Sequence, residues 1–188
     1  LVYSTYLGGS STENSVNRSG IAVDSEGNAY VTGDTTSTDF PLKDPIRSSN
    51  TGIEFDAYVS KIDPTGTAFV YSTYLGGDED ETGVGIATDA AGNAYVAGGT
   101  RSTSFTGSGS TRPPGVTTDA YVAKLNAAGS AFSYLTFIGA APGFDAAEAI
   151  VVDASNNAYV TGITTPGMGT AGPLFSTVNP VQSYFAGA

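Results

Sequence analysis

Apolar and polar residues alternate in short runs separated by turn formers. This is the period of β-strands rather than helices. In Ala68–Leu75, Phe69, Tyr71, Thr73 and Leu75 fall on one side, with Val70, Ser72 and Tyr74 on the other. Apolar groups on both sides suit a sheet covered on each face by a neighbour. The same pattern predicts a strand at Leu1–Leu7 and a hairpin from Ile21–Asp24 and Asn28–Thr32. A second hairpin follows from Ala57–Ile62 and Ala68–Leu75, with further hairpins in Ile86–Gly98, Ala120–Ile138 and Ile150–Gly162. Polar loops are predicted at Gly8–Gly20, Asp78–Gly85 and Gly139–Ala149. Longer connections run over Asp34–Phe55 and Gly99–Thr118, with a tail at Ile163–Ala188. No segment sustains a helical period; Phe144–Ile150 comes nearest, but it is short and aligns with a strand entry.

These runs are copies of two units. DAYVSKIDPTGTAFVYSTYLGG (Asp56–Gly77) returns as DAYVAKLNAAGSAFSYLTFIGA (Asp119–Ala140), and its second half opens the chain as LVYSTYLGG (Leu1–Gly9). Interleaved with it stand IAVDSEGNAYVTG (Ile21–Gly33), IATDAAGNAYVAG (Ile86–Gly98) and IVVDASNNAYVTG (Ile150–Gly162). Gly27 and Gly92 sit where a bulged hairpin turn needs a left-handed residue. The third copy has Asn156, the non-glycine residue that best tolerates positive φ. Asp24, Asp89 and Asp153 precede these turns, and Asp63 and Asn126 precede the others, where each can accept hydrogen bonds from turn amides.

Four strands in two hairpins per roughly 64 residues is the signature of a propeller blade, which buries its faces only against its neighbours. The expected fold is all-β, with β-propeller-type blades of four antiparallel strands in about three repeats, incomplete or open. Residues 1–75 would hold a first blade with a leading outer strand. Residues 76–138 would hold the second, and 139–188 a third with inner strands only.

The units YSTYLGG, IAVDSEGNAYVTG, TSTDFP (Thr36–Pro41) and DAYVSKIDPTG together resemble the bacterial seven-bladed beta-propeller repeat family. The resemblance covers almost the whole chain. It implies a secreted or surface-associated bacterial protein and carries over no catalytic motif. The third copy departs from the pattern, with YLTFIGA in place of YSTYLGG and no third or fourth strand after the second.

Composition narrows the chemistry. Charged residues are only 13% of the chain, and 7 basic against 18 acidic residues leave a net charge of −11. No basic stripe is present to neutralise nucleic-acid phosphate, and an anionic membrane surface is disfavoured for the same reason. No apolar run approaches the ~18 residues of a membrane span. Cys and His are absent, which removes disulfides, Cys/His zinc sites and His-based triads.

The acidic loops before the inner strands hold Glu13, then Asp78-Glu79-Asp80-Glu81, then Asp145 and Glu148. Asp78, Asp80 and Glu81 are the candidate ligands for Ca²⁺, the one cofactor considered, since hard oxygen donors suit it. The competing reading is a solvated acidic loop. Repeat-locked tyrosines (Tyr30, Tyr95 and Tyr159; Tyr58 and Tyr121; Tyr71 and Tyr134) are expected to pack between blades. Lys61 and Lys124 repeat too, as strand-face charges or partners of nearby acids. Asn17-Arg18-Ser19 matches a glycosylation sequon, and the Ser/Thr-rich stretches Thr35–Thr38, Thr100–Ser104 and Ser108–Thr111 are either O-glycosylated or ordinary loops.

The expected role is a non-enzymatic extracellular module at a bacterial surface, in adhesion, coating or assembly. Its expected partners are further blades of a longer chain or identical chains adding strands across exposed edges. A glycan- or protein-binding receptor is the alternative, with a pocket lined by unrepeated residues such as Arg101, Phe105, Arg112 or Met168. A carboxylate hydrolase comes third; it needs two acids about 5–9 Å apart in a cleft.

Overall fold

The computed structural model describes residues 1–15, 18–50, 53–112, 117–139 and 143–166. Ten strands and no helix occur among them. β1 (Gly20–Val23), β2 (Ala29–Thr35), β3 (Asp56–Ile62) and β4 (Phe69–Leu75) form one antiparallel sheet in that spatial order. β5 (Glu81–Thr88), β6 (Ala94–Thr100), β7 (Asp119–Leu125) and β8 (Phe132–Ile138) form a second with the same order. β9 (Gly143–Val152) pairs with β10 (Ala158–Pro166) in a third sheet of two strands. The sheets stack face to face, β1 and β2 against β5, and β5 and β6 against β9. The array is open, with incomplete propeller blades rather than a closed ring.

Register repeats with the sequence. Tyr30 lies opposite Lys61 and Thr35 opposite Asp56, as Tyr95 lies opposite Lys124 and Thr100 opposite Asp119. The turn chemistry follows the sequence as well. Gly27 and Gly92 have φ of 86° and 78°, and Asn156 has φ of 66°.

Two expectations are corrected. Glu81–Gly85 and Gly143–Ala149 are strand, not loop. The ladders extend past the motif because β-bulges, at Gly83/Gly85 and Thr161/Gly162, absorb the extra residue. Leu1–Leu7 forms no ladder, because a strand needs a neighbour for its amides and carbonyls and the described residues supply none on that side. Leu1, Val2 and Tyr6 are exposed. The segment still keeps the position its sequence implies: the Tyr3 ring occupies the space a side chain at Gly66 would need, as the Tyr71 ring of β4 does at Gly129.

The core lies between sheets. Tyr30, Val59, Tyr71, Ile86, Val96, Tyr121 and Leu125 pack between the first and second. Tyr95, Ala97, Val122, Ala147 and Ile150 pack between the second and third. On the other face of the first sheet, Leu7 and Leu42 join Phe40, Tyr58 and Tyr74.

Candidate functional site

Each inner hairpin carries one polar station. Asp24 Oδ1 accepts from the amides of Glu26 (3.0 Å) and Asn28 (2.9 Å), and its Oδ2 accepts from Asn28 Nδ2 (2.8 Å) and the Tyr30 hydroxyl (3.0 Å). Asp89 repeats this with Ala91, Asn93 and Tyr95, and Asp153 with Ser155, Asn157 and Tyr159. In the first two sheets a lysine from the third strand completes the group. Lys61 Nζ is 3.4 Å from Asp24 and 4.9 Å from the Tyr30 ring centre; Lys124 Nζ is 3.2 Å from Asp89 and 4.6 Å from the Tyr95 ring centre. Burial pushes the Asp24 carboxyl up, but hydrogen bonds from Asn28 and Tyr30 and the Lys61 charge hold it at about 2. Asp89 is likewise held at about 2. These aspartates cap turns and anchor lysines, so the lysines are partners of acids rather than free strand charges.

The candidate calcium ligands do not converge. Asp78 is exposed. Asp80 accepts from the Phe55 amide (3.0 Å) and Arg101 (3.1 Å). Glu81 is fully buried and accepts from Thr100 Oγ1 (2.6 Å), the Ser102 amide (3.3 Å) and the Gly77 amide (2.9 Å). Among the described residues no group of three or more carboxylates is placed to hold a metal ion. The melting temperature in excess EDTA is expected to match that in millimolar CaCl₂ within roughly 1 °C; a larger drop on chelation would establish a structural ion.

Glu81 belongs instead to a carboxylate pair. It and Asp56, at the start of β3, close over Gly76: an oxygen of each occupies the space a Gly76 side chain would need. Arg47 forms an ion pair with Asp56. Burial pushes Asp56 up to about 6, against the opposing Arg47 charge. Burial, reinforced by the Asp56 charge, pushes Glu81 to about 7. Asp119 and Asp145 close over Gly139 in the same way, with Arg112 3.2 Å from Asp119. The repeat positions of Asp56 and Asp119, and of Glu13, Glu81 and Asp145, carried this signal in the sequence.

A cavity of about 500 Å³ opens where β5, β9 and the end of β6 meet. Val84, Phe144 and Ile163 give it apolar walls, and Arg18 and Arg101 stand at its rim. Arg18 pairs with Glu148, linking residues before the first sheet to the third. Arg101 pairs with Asp80 at 3.1 Å and Glu79 at 3.8 Å. Of the other receptor candidates, Phe105 is core. Arg112 is buried and donates to the Ser102 carbonyl at 2.8 Å. Met168 and the sequon asparagine, Asn17, lie outside the described residues. Thr35, Ser37, Thr100 and Ser102 are fully buried, so these hydroxyls serve the loops and are closed to glycosylation.

The second edge of β10 pairs with no strand among the described residues. Val151 (63% exposed) and Tyr159 (57%) show on the outer face of the third sheet, whereas Tyr30 and Tyr95, the counterparts of Tyr159, are 0% and 1% exposed.

Stacked four-stranded antiparallel sheets with the same strand order have the form of β-propeller-type blades. The Beta-propeller repeat family matches residues 2–41 and 70–106, each match running from an outer-strand segment into the inner hairpin of the next sheet. No curated protein matches the chain.

Proposed function

We propose that the chain is a non-enzymatic interaction module that works by completing its sheets with further strands, as an assembly, adhesion or coating element at a bacterial surface. The open side of the third sheet carries this reading. It combines a β10 edge that pairs with no strand among the described residues with exposed Val151 and Tyr159, and such edges recruit strands unless covered. Light scattering coupled to size exclusion is expected to give a mass above that of one chain, rising with concentration and lowered by Val151→Lys. A single-chain mass at all concentrations would overturn the reading.

The buried acids support the absence of hydrolysis. Asp56 and Glu81 are 3% and 0% exposed, so this pair is sealed from any glycosidic bond; Glu54 and Asp80, a second pair, share a hydrogen bond at the surface that raises the Glu54 carboxyl. The cavity rimmed by Arg18 and Arg101 favours a second reading, a receptor for glycans or proteins, because neither arginine recurs in the repeat: Thr36 and Gly83 hold the equivalent places. Under that reading Arg101→Ala abolishes binding on a glycan or protein array; an array without hits would remove it.

A further inference from the structure

The joint between the second and third sheets keeps a space that the joint between the first and second fills. In the first sheet that level is held by Asp34 of β2. Thr32, two residues earlier and on the same face, occupies the space a Gly83 side chain would need in the second sheet. Asp34 therefore faces the second sheet too. It is fully buried, and its Oδ2 accepts from the Ser15 amide at 2.8 Å and the Ser15 hydroxyl at 2.5 Å. The residue in the same register of the second sheet is Gly99, which stands opposite Ala120 as Asp34 stands opposite Ala57. A side chain at Gly99 would begin against Ala146 of the third sheet and Thr118. Glycine facing alanine here, in place of an aspartate, leaves room for the cavity of about 500 Å³.

The chemistry of its walls selects a class of ligand. The volume is that of a small-molecule site. Phe144 (40% exposed) and Ile163 (46%) offer an apolar wall, with Val84 beside them. At the rim the charges stand in couples, Arg18 with Glu148, and Arg101 with Asp80 and Glu79. Each couple presents hydrogen-bond donors next to acceptors, and a hydroxyl group uses both. Three acids against two arginines, in a chain of net charge −11, repel an anion. A ligand cation would have to displace an arginine from each of these acids. A ligand that is uncharged, rich in hydroxyls and apolar on one face meets all these conditions. A pyranose ring is such a ligand, since its C–H groups can rest on the negative face of an aromatic ring.

We propose that the cavity between the second and third sheets binds a neutral oligosaccharide, with one pyranose ring on Phe144 and its hydroxyls bonded to the Arg18–Glu148 and Arg101–Asp80 couples. This inference rests on the second reading above, that of a receptor, and names the ligand of that cavity.

The test screens the 188-residue chain on an array of neutral, sialylated and sulfated oligosaccharides and on a protein array, then measures the strongest neutral hit by calorimetry. Neutral glycans are expected to bind and charged ones not. Gly99→Asp, which installs the side chain that the first sheet carries, and Phe144→Ala, at a partly exposed position, are each expected to weaken binding about tenfold or more. Circular dichroism checks that each variant folds. A neutral hit weakened in both variants, or in Phe144→Ala alone where Gly99→Asp does not fold, supports the proposal. An unchanged affinity in either folded variant, or hits among charged glycans or proteins alone, overturns the proposed sugar site while leaving a receptor standing. No hits on either array overturn both.

Discussion

Replacing Tyr30 with alanine is expected to destabilise the chain by about 3–5 kcal/mol, and the same change at Tyr159 by less than about 0.5 kcal/mol. The two tyrosines hold equivalent positions in the same motif, and each donates to the aspartate six residues before it. What differs is the neighbour. Tyr30 is fully buried against the second sheet, edge-on to Tyr71 with ring centres 6.4 Å apart, and its hydroxyl proton is shared between Asp24 and the Gly92 carbonyl, each 3.0 Å away. Its loss would open a cavity between two sheets and strip Lys61 of its ring. Tyr159 has no sheet across from it among the described residues and is more than half exposed. Urea unfolding followed by circular dichroism separates the two. Equal losses would mean that the third sheet is covered in solution and that Tyr159 already has a partner.

Stability is expected to peak near pH 4–5 and to fall as the pH rises to 8. Asp56 and Glu81 have folded pKa values raised to about 6 and about 7, so the folded chain holds their protons more tightly than the unfolded chain. Their contribution is fully present below the unfolded values near 4 and is lost as pH climbs through 6 and 7. For Glu81 the rise from 4.5 to about 7 corresponds to about 3 kcal/mol. Asp24 and Asp89 act in the opposite sense. Held at about 2, they contribute stability above pH 4 that disappears as pH falls through 2. The groups facing the raised pair are Arg47, which opposes the shift of Asp56, and Asp80, which adds to it. Glu81→Gln is expected to flatten the decline between pH 5 and 8. It also lowers the stability at every pH, because the Gln amide must meet either the Gly77 amide or the Thr100 and Ser102 donors. Urea midpoints at pH 4, 5, 6, 7 and 8 for both proteins measure this; an unchanged slope would show that Glu81 is ionised throughout.

The strand content and the hairpin turns were legible because they depend on local chemistry. Asn156 takes a left-handed φ in the one repeat that lacks the glycine, and period-2 alternation placed most of β2, β3, β4 and β6 to β8. The misreadings share a cause in contacts distant along the chain. Leu1–Leu7 has the composition of β4 yet no ladder, since strand formation is settled by a neighbour elsewhere. Gly83 and Gly85 look like loop residues until a bulge is known to extend β5 beside β6. Within the acidic run, Asp80 and Glu81 are adjacent in sequence, yet one meets Arg101 and the Phe55 amide while the other is buried with Asp56. At the start of a strand successive side chains point to opposite faces, which sends the two carboxylates to different partners.

The tyrosine that rests on a glycine in the next sheet, Tyr3 on Gly66 and Tyr71 on Gly129, ties successive sheets together. A cut between sheets would part each ring from its seat and leave an unfilled hollow over a positive-φ turn. A cut just before the outer strand keeps the ring and its glycine in one cassette, Tyr3 to Gly66 or Tyr71 to Gly129. The two family matches begin at Val2 and Val70, one residue ahead of those tyrosines. The packing unit of this chain is thus offset from its sheets: Tyr3 to Gly66 and Tyr71 to Gly129 each join an outer-strand tyrosine to the first three strands of the next sheet. Each ring thereby ties one sheet to the turn of the next along the array.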